Sequence, residues 1–511
     1  MFTQVYSGGI WAVTGFVVSV ETDVSDGLPG FIITGQPSSE VRESQERVRT
    51  ALKNSGFQLL AKKITVNLSP AGIRKGGTAF DLPIALSILG AFRLVDTGQI
   101  SDSMVIGELG LNGRVKPVSG VLPLVIAAKA HGLSRCFLPA ENRKEGLVIE
   151  GVQIVGVESL AQMVSMLQNP EEISYECPKK EKEQQEKYDV DFREINGQLV
   201  PRRAAEVAAA GMHGLLLNGS AGTGKTMIAR RLPTILPSLT REENIEISKI
   251  YSICGLLPPD QPLLSRRPFR SPHHTISPQG LTGGGTVPRP GELSLASGGV
   301  LFLDELPLFN RAAIEVLRQP LEERRVTVTR VAGSCEFPAD FMIVAALNPC
   351  PCGFFPDRSK CNCSEQQIRS YLNRISRPIL DRFDICAEAA AVPFGELSRE
   401  NSENEDSAAI RDRVERAGKL QEERFLGTKI RFNSRMGQRE IKKFCRLGRK
   451  ESDFAARIYE TRGLSVRGYH KVLKVARTIA DLAGEENIKK EHLAEAFSYR
   501  TLEEKLWGSG L

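Results

Sequence analysis

The sequence predicts an α/β protein built on a parallel sheet and finished by a helical C-terminal region. Three observations carry this prediction. The middle of the chain holds three short apolar runs, Leu215-Leu216-Leu217, Val300-Leu301-Phe302-Leu303 and Phe341 to Leu347, each stopping on a polar residue. Such runs suit strands covered on both faces, as parallel sheets require. The first run leads through a glycine-rich turn into a helical stretch, Met227 to Leu232. Near the C-terminus, Val472, Leu473, Ala476, Ile479, Ala480 and Ala483 recur at helical spacing, and Gly484 is a natural stop.

With 511 residues, 41% hydrophobic and 25% charged, the chain has apolar material for several cores, which excludes a mainly disordered or disulfide-scaffold protein. No apolar run approaches the roughly 18 residues that span a bilayer, and the first residues lack the basic and apolar regions of a secretory signal. A cytoplasmic protein with no membrane partner is expected. The polar, charged stretch after Gln168 reads as a linker, and a second polar break runs from Ser398 to Ser407. The expected division is 1–167, a linker at 168–189, a nucleotide-handling core at 190–395 and a helical unit at 396–511.

Gly219-Ser220-Ala221-Gly222-Thr223-Gly224-Lys225-Thr226 fits G-x-x-x-x-G-K-[ST] without exception. Glycines let backbone N–H groups wrap the phosphates of ATP, Lys225 reaches the terminal phosphates, and Thr226 can ligate Mg²⁺. A strand before and a helix after separate this pattern from an ordinary glycine-rich turn. The second apolar run ends in Asp304-Glu305. An aspartate there can complete the Mg²⁺ shell, and the adjacent glutamate can deprotonate the attacking water. Asn348 closes the third run and can hydrogen-bond that water or the γ-phosphate. In an open parallel sheet these groups gather at one edge.

Together these residues resemble the AAA+ ATPases of the magnesium-chelatase-like group, in particular the ComM/YifB family, over nearly the whole chain. The most specific marks are Arg270-Ser271-Pro272-His273-His274-Thr275 with Gly280-Leu281-Thr282-Gly283-Gly284-Gly285, then Gly291 to Ala296, and Asn348-Pro349-Cys350-Pro351-Cys352-Gly353. The resemblance implies an AAA+ P-loop core with a helical C-terminal lid, assembled as a homo-oligomeric, hexameric ring. It places Gly197 and Gln198 at the adenine pocket. It makes Arg382, in Leu380-Asp381-Arg382-Phe383-Asp384, a finger reaching a neighbour's site, and Arg467 a lid arginine that senses γ-phosphate within its own subunit.

Two segments suggest what such a motor works on. Gln261 to Pro290 contains no acid but holds Arg266, Arg267, Arg270 and Arg289. The overlapping stretch between Leu264 and Leu293 is long and rich in glycine and proline, which suggests a functional loop, and the resemblance makes it an insertion projecting into the pore of a ring. Arg324-Arg325-Val326-Thr327-Val328-Thr329-Arg330 alternates like a strand, and Gly333-Ser334 begins its return. Arg270, Arg289, Arg324, Arg325 and Arg330 are the candidate contacts to DNA, single-stranded or branched, because phosphate contacts are largely independent of sequence. The tract Lys429 to Lys450, with nine basic residues and one acid, can add to this. His273 and His274 have no evident companions for a metal site, which leaves structural or DNA-contacting use.

Residues 1 to about 166 resemble the proteolytic domain of Lon and its inactive relatives, an α+β, ribosomal-protein-S5-like fold. The resemblance rests on Ser69-Pro70-Ala71-Gly72 through Gly76-Gly77-Thr78-Ala79-Phe80-Asp81. Thr78 stands where Lon has its serine, and Val118 to Leu122 lacks the lysine, so a pseudo-protease is expected. Cys350, Cys352, Cys361 and Cys363 form C-x-C-x₈-C-x-C. Four thiolates can close a tetrahedral Zn²⁺ site, although the spacing departs from the commoner C-x₂-C, and a reduced surface loop is the alternative.

The reading is a Mg²⁺-dependent, ring-forming ATPase that translocates on DNA, with helicase or branch-migration activity in recombination such as natural transformation. A magnesium-chelatase motor subunit acting on a protein partner is the main rival, disfavoured by the Lon-like region and the cysteine cluster. A DNA-binding ATP switch is the other. The joint presence of Lys225, Glu305 and Arg382 argues against it, because a switch needs no fast hydrolysis.

Overall fold

The computed structural model describes residues 2–176, 188–285, 288–330, 333–393, 395 and 404–501. The middle of the charged linker (177–187) and most of the second polar break (396–403) lie outside the described residues.

The chain opens with two long antiparallel strands, β1 (Phe2–Trp11) and β2 (Thr14–Ser25). Val18, Val20 and Val24 of β2 are buried, the alternation expected of a strand with one covered face. β3 (Gly30–Thr34), α1 (Ser39–Asn54), β4 (Lys63–Ser69), α2 (Asp81–Ala91), β5 (Ser103–Val105), α3 (Val121–Ala130), β6 (Arg135–Pro139) and β7 (Gln153–Val157) follow. The seven strands form one mixed sheet in the order β3-β4-β2-β1-β5-β6-β7. α2 is apolar all round because it is buried nearly all round. Its acid, Asp81, is tolerated there because Ser44, the Arg47 Nε at 2.8 Å and the Leu109 N–H at 3.2 Å all donate to it.

The central region contributes α4 (Leu199–Gly211), β8 (Leu215–Gly219), α5 (Lys225–Arg231), α6 (Arg241–Ile253), β9 (Phe269–Arg270), β10 (Val300–Leu303), α7 (Arg318–Glu323), β11 (Arg325–Arg330), β12 (Gly333–Pro338), β13 (Met342–Leu347), α8 (Glu365–Leu372) and β14 (Ile385–Ala389). Five of these strands form a parallel sheet in the order β9-β10-β13-β8-β14. The three apolar runs are its three inner strands, in register through Leu301 with Ile343 and Leu216 with Ala345. β11 and β12 pair separately as an antiparallel hairpin.

The glycine-rich segment before β10 is more ordered than its composition suggests. β9 joins the main sheet, Pro278–Thr282 is a short helix, and Gly283-Gly284 pairs with Arg289-Pro290. Gly283, at φ 90°, lets its backbone approach the Arg289 carbonyl where a Cβ would lie only 2.2 Å away. Glycine here makes a tight turn and not slack.

The C-terminal unit contains α9 (Ser407–Arg424), α10 (Val466–Leu482) and α11 (Lys490–Ser498). Val472, Leu473, Ala476, Ile479 and Ala480 of α10 share one core with the inner strands and α4. Ala483 lies past the helix end and is exposed, so the stripe stops one position earlier than its spacing suggests.

The N-terminal sheet is joined to the core through α3 and α6. Gly120 N–H donates to the Ser252 carbonyl at 3.0 Å, the Ser252 hydroxyl donates to Glu145, and Lys144 pairs with Asp260 at 2.6 Å. Among the described residues no helix is long and apolar enough to cross a membrane.

Candidate nucleotide site

The parallel register of β10, β13 and β8 brings Asp304-Glu305, Asn348 and the phosphate loop to one sheet edge. Gly224 enters α5 at φ 84°, a conformation that lets the loop turn its amides inward. Lys225 is 8% exposed and its Nζ donates to three oxygens: the carbonyls of Gly219 at 2.6 Å and Ser220 at 2.7 Å, and Asn348 Oδ1 at 3.1 Å. Burial pulls the ammonium down to about 8, with Asp304 and Glu305 acting in the opposite direction.

Thr226 Oγ1 donates to Asp304 Oδ2 at 2.9 Å. Two oxygens bound about 2.1 Å from one Mg²⁺ at adjacent octahedral corners stand about 3.0 Å apart. The hydroxyl and carboxylate therefore fit a shared magnesium ion. Glu305 is exposed and takes φ 53°, a left-handed conformation that is costly for a non-glycine residue and concentrates at functional sites. It lines a cavity of about 580 Å³ together with Asn348, Tyr371 and Arg374. Gln198, at φ 53°, donates through Nε2 to the Thr223 carbonyl at 2.9 Å and the Ala390 carbonyl at 2.5 Å, which seats Gly197-Gln198 against the phosphate loop.

Arg382 and Arg467 lie toward the other end of the sheet, where Asp384 N–H donates to the Gly214 carbonyl and Lys471, one turn after Arg467, donates to the Asp381 carbonyl. Both approach Glu322: Arg382 donates to its Oε1, and Arg467 Nη2 stands 3.6 Å from the same oxygen.

The cysteines converge. All four Sγ atoms lie within 4.8 Å of one another, with Cys350 to Cys352 at 3.3 Å, Cys350 to Cys361 at 3.7 Å and Cys352 to Cys361 at 3.5 Å. A tetrahedral zinc with bonds of about 2.3 Å has sulfur–sulfur edges of about 3.8 Å, so the donor set fits Zn²⁺. The Cys352 thiol is drawn down to about 6, first by the Phe354 amide and then by neighbouring thiols. The cysteine loop abuts the phosphate loop, since a Cβ on Gly353 would sit 3.4 Å from the Ala221 nitrogen.

The arginines expected to meet a polyanion divide. Arg270 is held by Glu292 through two contacts at 2.6 Å and is half-buried, so its charge is already engaged. Arg324 donates to the Arg435 carbonyl at 3.4 Å, and burial lowers its affinity for the proton. Arg289 is exposed, as is Arg325, whose partners are Glu323 at 3.5 Å and Glu336 at 3.2 Å. Arg330 ends β11 and its side chain lies outside the description.

Sequence reasoning passed over Glu322 and the α8 group. Gln366, Gln367, Ser370, Tyr371 and Arg374 all line the cavity beside Glu305. Gln366, Gln367, Ser370 and Tyr371 recur at helical spacing directly after the second cysteine pair, the signal that would have found them as one face of α8, with Arg374 just past its end.

A parallel sheet with a phosphate loop, an acidic strand end and a helical unit packed behind it defines an AAA+ P-loop ATPase. Comparison with known proteins narrows the class. The family described as magnesium chelatase, subunit ChlI, matches residues 191–397, and its C-terminal counterpart matches residues 404–500. Subunit ChlI of Mg-chelatase, a third description, matches residues 20–142. Competence protein ComM of Haemophilus influenzae is 40% identical over 506 residues, covering 98% of this chain and 97% of its own. The uncharacterized protein YifB of Escherichia coli is 37% identical over 489 residues, covering 96% and 95%. Lon protease 2 of Bacillus subtilis is 32% identical over 135 residues, 26% of this chain and 24% of its own. The chain belongs to the ComM/YifB family of magnesium-chelatase-like AAA+ ATPases, with a Lon-like N-terminal region.

Proposed function

We propose that this protein is a ring-forming, Mg²⁺-dependent ATPase, hexameric and cytoplasmic, that translocates on DNA as a helicase or branch-migration motor. The observation that carries the reading is the placement of the β11–β12 hairpin. It lies between β10, which Asp304-Glu305 follow, and β13, which Asn348 follows, with α7 leading into its first strand. A change at the γ-phosphate thus reaches the foot of a hairpin carrying the exposed Arg325 along the length of β13, from Asn348 back to Pro338. Arg289 and Arg330 supply the other basic contacts, while Arg270 and Arg324 hold the scaffold. The name competence protein, borne by the Haemophilus relative, makes natural transformation the setting we propose.

In this reading Thr226 and Asp304 hold Mg²⁺, which supplies charge neutralisation on the phosphates. Lys225 exchanges its carbonyl partners for phosphate oxygens. Glu305 takes the proton from the attacking water, and Asn348 orients that water or the γ-phosphate. Gly197 and Gln198 bound the adenine pocket. A neighbour's Arg382 completes the charge around the transferring phosphoryl group, and Arg467 reports γ-phosphate to the lid. The four cysteines hold a structural Zn²⁺ that braces the phosphate loop. The Lon-like region, with Thr78 at the nucleophile position, serves assembly or DNA contact and not peptide cleavage. The chain divides into a Lon-like unit at 1–167, a linker at 168–189, the ATPase core at 190–395 and a helical unit at 396–511.

The test is strand displacement on forked and branched DNA with ATP, alongside ATP turnover with and without DNA. Displacement that requires hydrolysis, with DNA-stimulated turnover, is the expected result. Turnover indifferent to every DNA form, with no displacement, overturns the DNA reading.

A further inference from the structure

Glu322 stands between two arginines and the foot of the hairpin. Arg382 donates to its Oε1 and is only 13% exposed, while Glu322 is 51% exposed. The Arg382 Nε is buried and has no hydrogen-bond partner among the described residues. The main chain around Arg382 is pinned from the lid: Lys471 Nζ donates to the carbonyls of Asp381 and Phe383, the latter at 3.0 Å, and Arg500 donates to Phe383 at 2.9 Å. Any movement of Arg382 is therefore left to its side chain, which in this chain is folded onto its own subunit.

Glu322 is itself rigidly tied to the hairpin. It lies on the last turn of α7, which Arg324 closes in a left-handed conformation at φ 59°, its N–H donating to the Pro320 carbonyl at 2.8 Å. β11 starts at the next residue. The Ala339 N–H donates to the Arg324 carbonyl at 2.9 Å, so both hairpin strands are anchored one turn from Glu322.

We propose that Glu322 is the positioning residue linking the hairpin to the arginine finger. It holds Arg382 back within its own subunit, and displacement of the hairpin foot hands the guanidinium to the phosphoryl oxygens of the neighbouring site. An ion pair whose carboxylate is half-exposed suits such a restraint, because water screens it and it can be exchanged for a more highly charged phosphate partner. The hairpin as trigger rests on the DNA reading above; the restraint of Arg382 does not.

Full-length wild type, Glu322→Gln and Glu322→Asp are compared for ATP turnover without DNA and at saturating forked DNA, with thermal unfolding as a check on folding. Glu322→Gln should raise DNA-free turnover roughly two- to fivefold. Its rate with DNA should stay near that of wild type, so the stimulation ratio collapses, and Glu322→Asp should restore most of the ratio. The gain should lie in kcat with the KM for ATP unchanged, a split that a merely structural role for Glu322 does not predict. Unchanged or lower DNA-free turnover in a folded Glu322→Gln protein overturns the proposal. If DNA stimulates none of the proteins, the DNA reading fails, and the DNA-free rate of Glu322→Gln still decides whether Arg382 is restrained.

Discussion

Lys225 Nζ and Asn348 Oδ1 are 3.1 Å apart, a hydrogen bond between residues 123 positions apart in sequence. It joins the end of one inner strand to the loop after its neighbour, and it exists only because β8 and β13 are parallel and in register. The same register sets Thr226 against Asp304 at 2.9 Å. Two cross-strand pairs thus define where a triphosphate and its metal would lie, and Glu305, next to Asp304, lines the adjoining cavity with Asn348.

These positions separate binding from chemistry. Lys225→Ala should abolish nucleotide binding, because its ammonium contacts phosphate in the ground state. Glu305→Gln should bind ATP nearly normally yet lose turnover by roughly 10²–10⁴, the usual worth of a general base. Equilibrium binding and single-turnover rates check both, and near-normal turnover in Glu305→Gln would remove the assigned base.

Burial of Lys225 has a consequence in pH. Only the ammonium attracts phosphate, and the free protein's Lys225 titrates at about 8. Phosphate contact favours the protonated form, so nucleotide binding and proton uptake are linked. Affinity should be flat well below pH 8 and fall as pH rises past it, approaching tenfold per unit. Calorimetry from pH 7 to 9.5 gives the curve. A flat profile across that range contradicts a lysine that titrates before it binds.

How much of this was legible in the sequence depends on how local each feature is. The three inner strands and the phosphate loop could be read directly, because runs of apolar residues and a contiguous eight-residue motif are one-dimensional signals. Arg382 and Arg467 could not be singled out by pattern among so many arginines, and only the family resemblance picks them. The pairing of Arg270 with Glu292 has no sequence signature: it arises where the backbone doubles back through Gly283, and it removes an arginine that composition alone offered to DNA. Glu322 is hidden for the same reason, its two partners lying 60 and 145 positions downstream. The C-x-C-x₈-C-x-C spacing left zinc and a bare loop equally open, and only convergence in space favours the metal.

The cysteine cluster should bind one Zn²⁺ per chain, measured by metal analysis of protein purified without added zinc. Cys361→Ser should lose the metal and lower the temperature of unfolding, because Cys361 is 4% exposed and the other three thiols would be left without the ion that ties them together. Turnover should fall as well, since Gly353 packs on the phosphate loop. Zinc-free protein with all four thiols freely titratable sinks this assignment.

The last prediction concerns the shared site. Arg382 pairs with Glu322 of its own subunit, and the chain just after it bonds Gly214, at the end of β8 opposite the phosphate loop, which suits a residue that works on a neighbour. Arg382→Ala should therefore keep ATP affinity while its assemblies hydrolyse on the order of 10³ more slowly, since no other cation replaces the charge at the phosphoryl oxygens. Mixing distinguishes the geometry. Arg382→Ala subunits carry intact phosphate loops, and Lys225→Ala subunits carry intact fingers. Where the two sit side by side in the right order, one complete site forms, although neither variant alone contains any. Turnover should reappear on mixing, peak at an intermediate ratio, and respond to DNA if the hairpin contacts it. Should verified mixed rings stay as inactive as their parts, or should Arg382→Ala alone hydrolyse at the wild-type rate, Arg382 does not act in trans and the composite site has to be rebuilt around another residue.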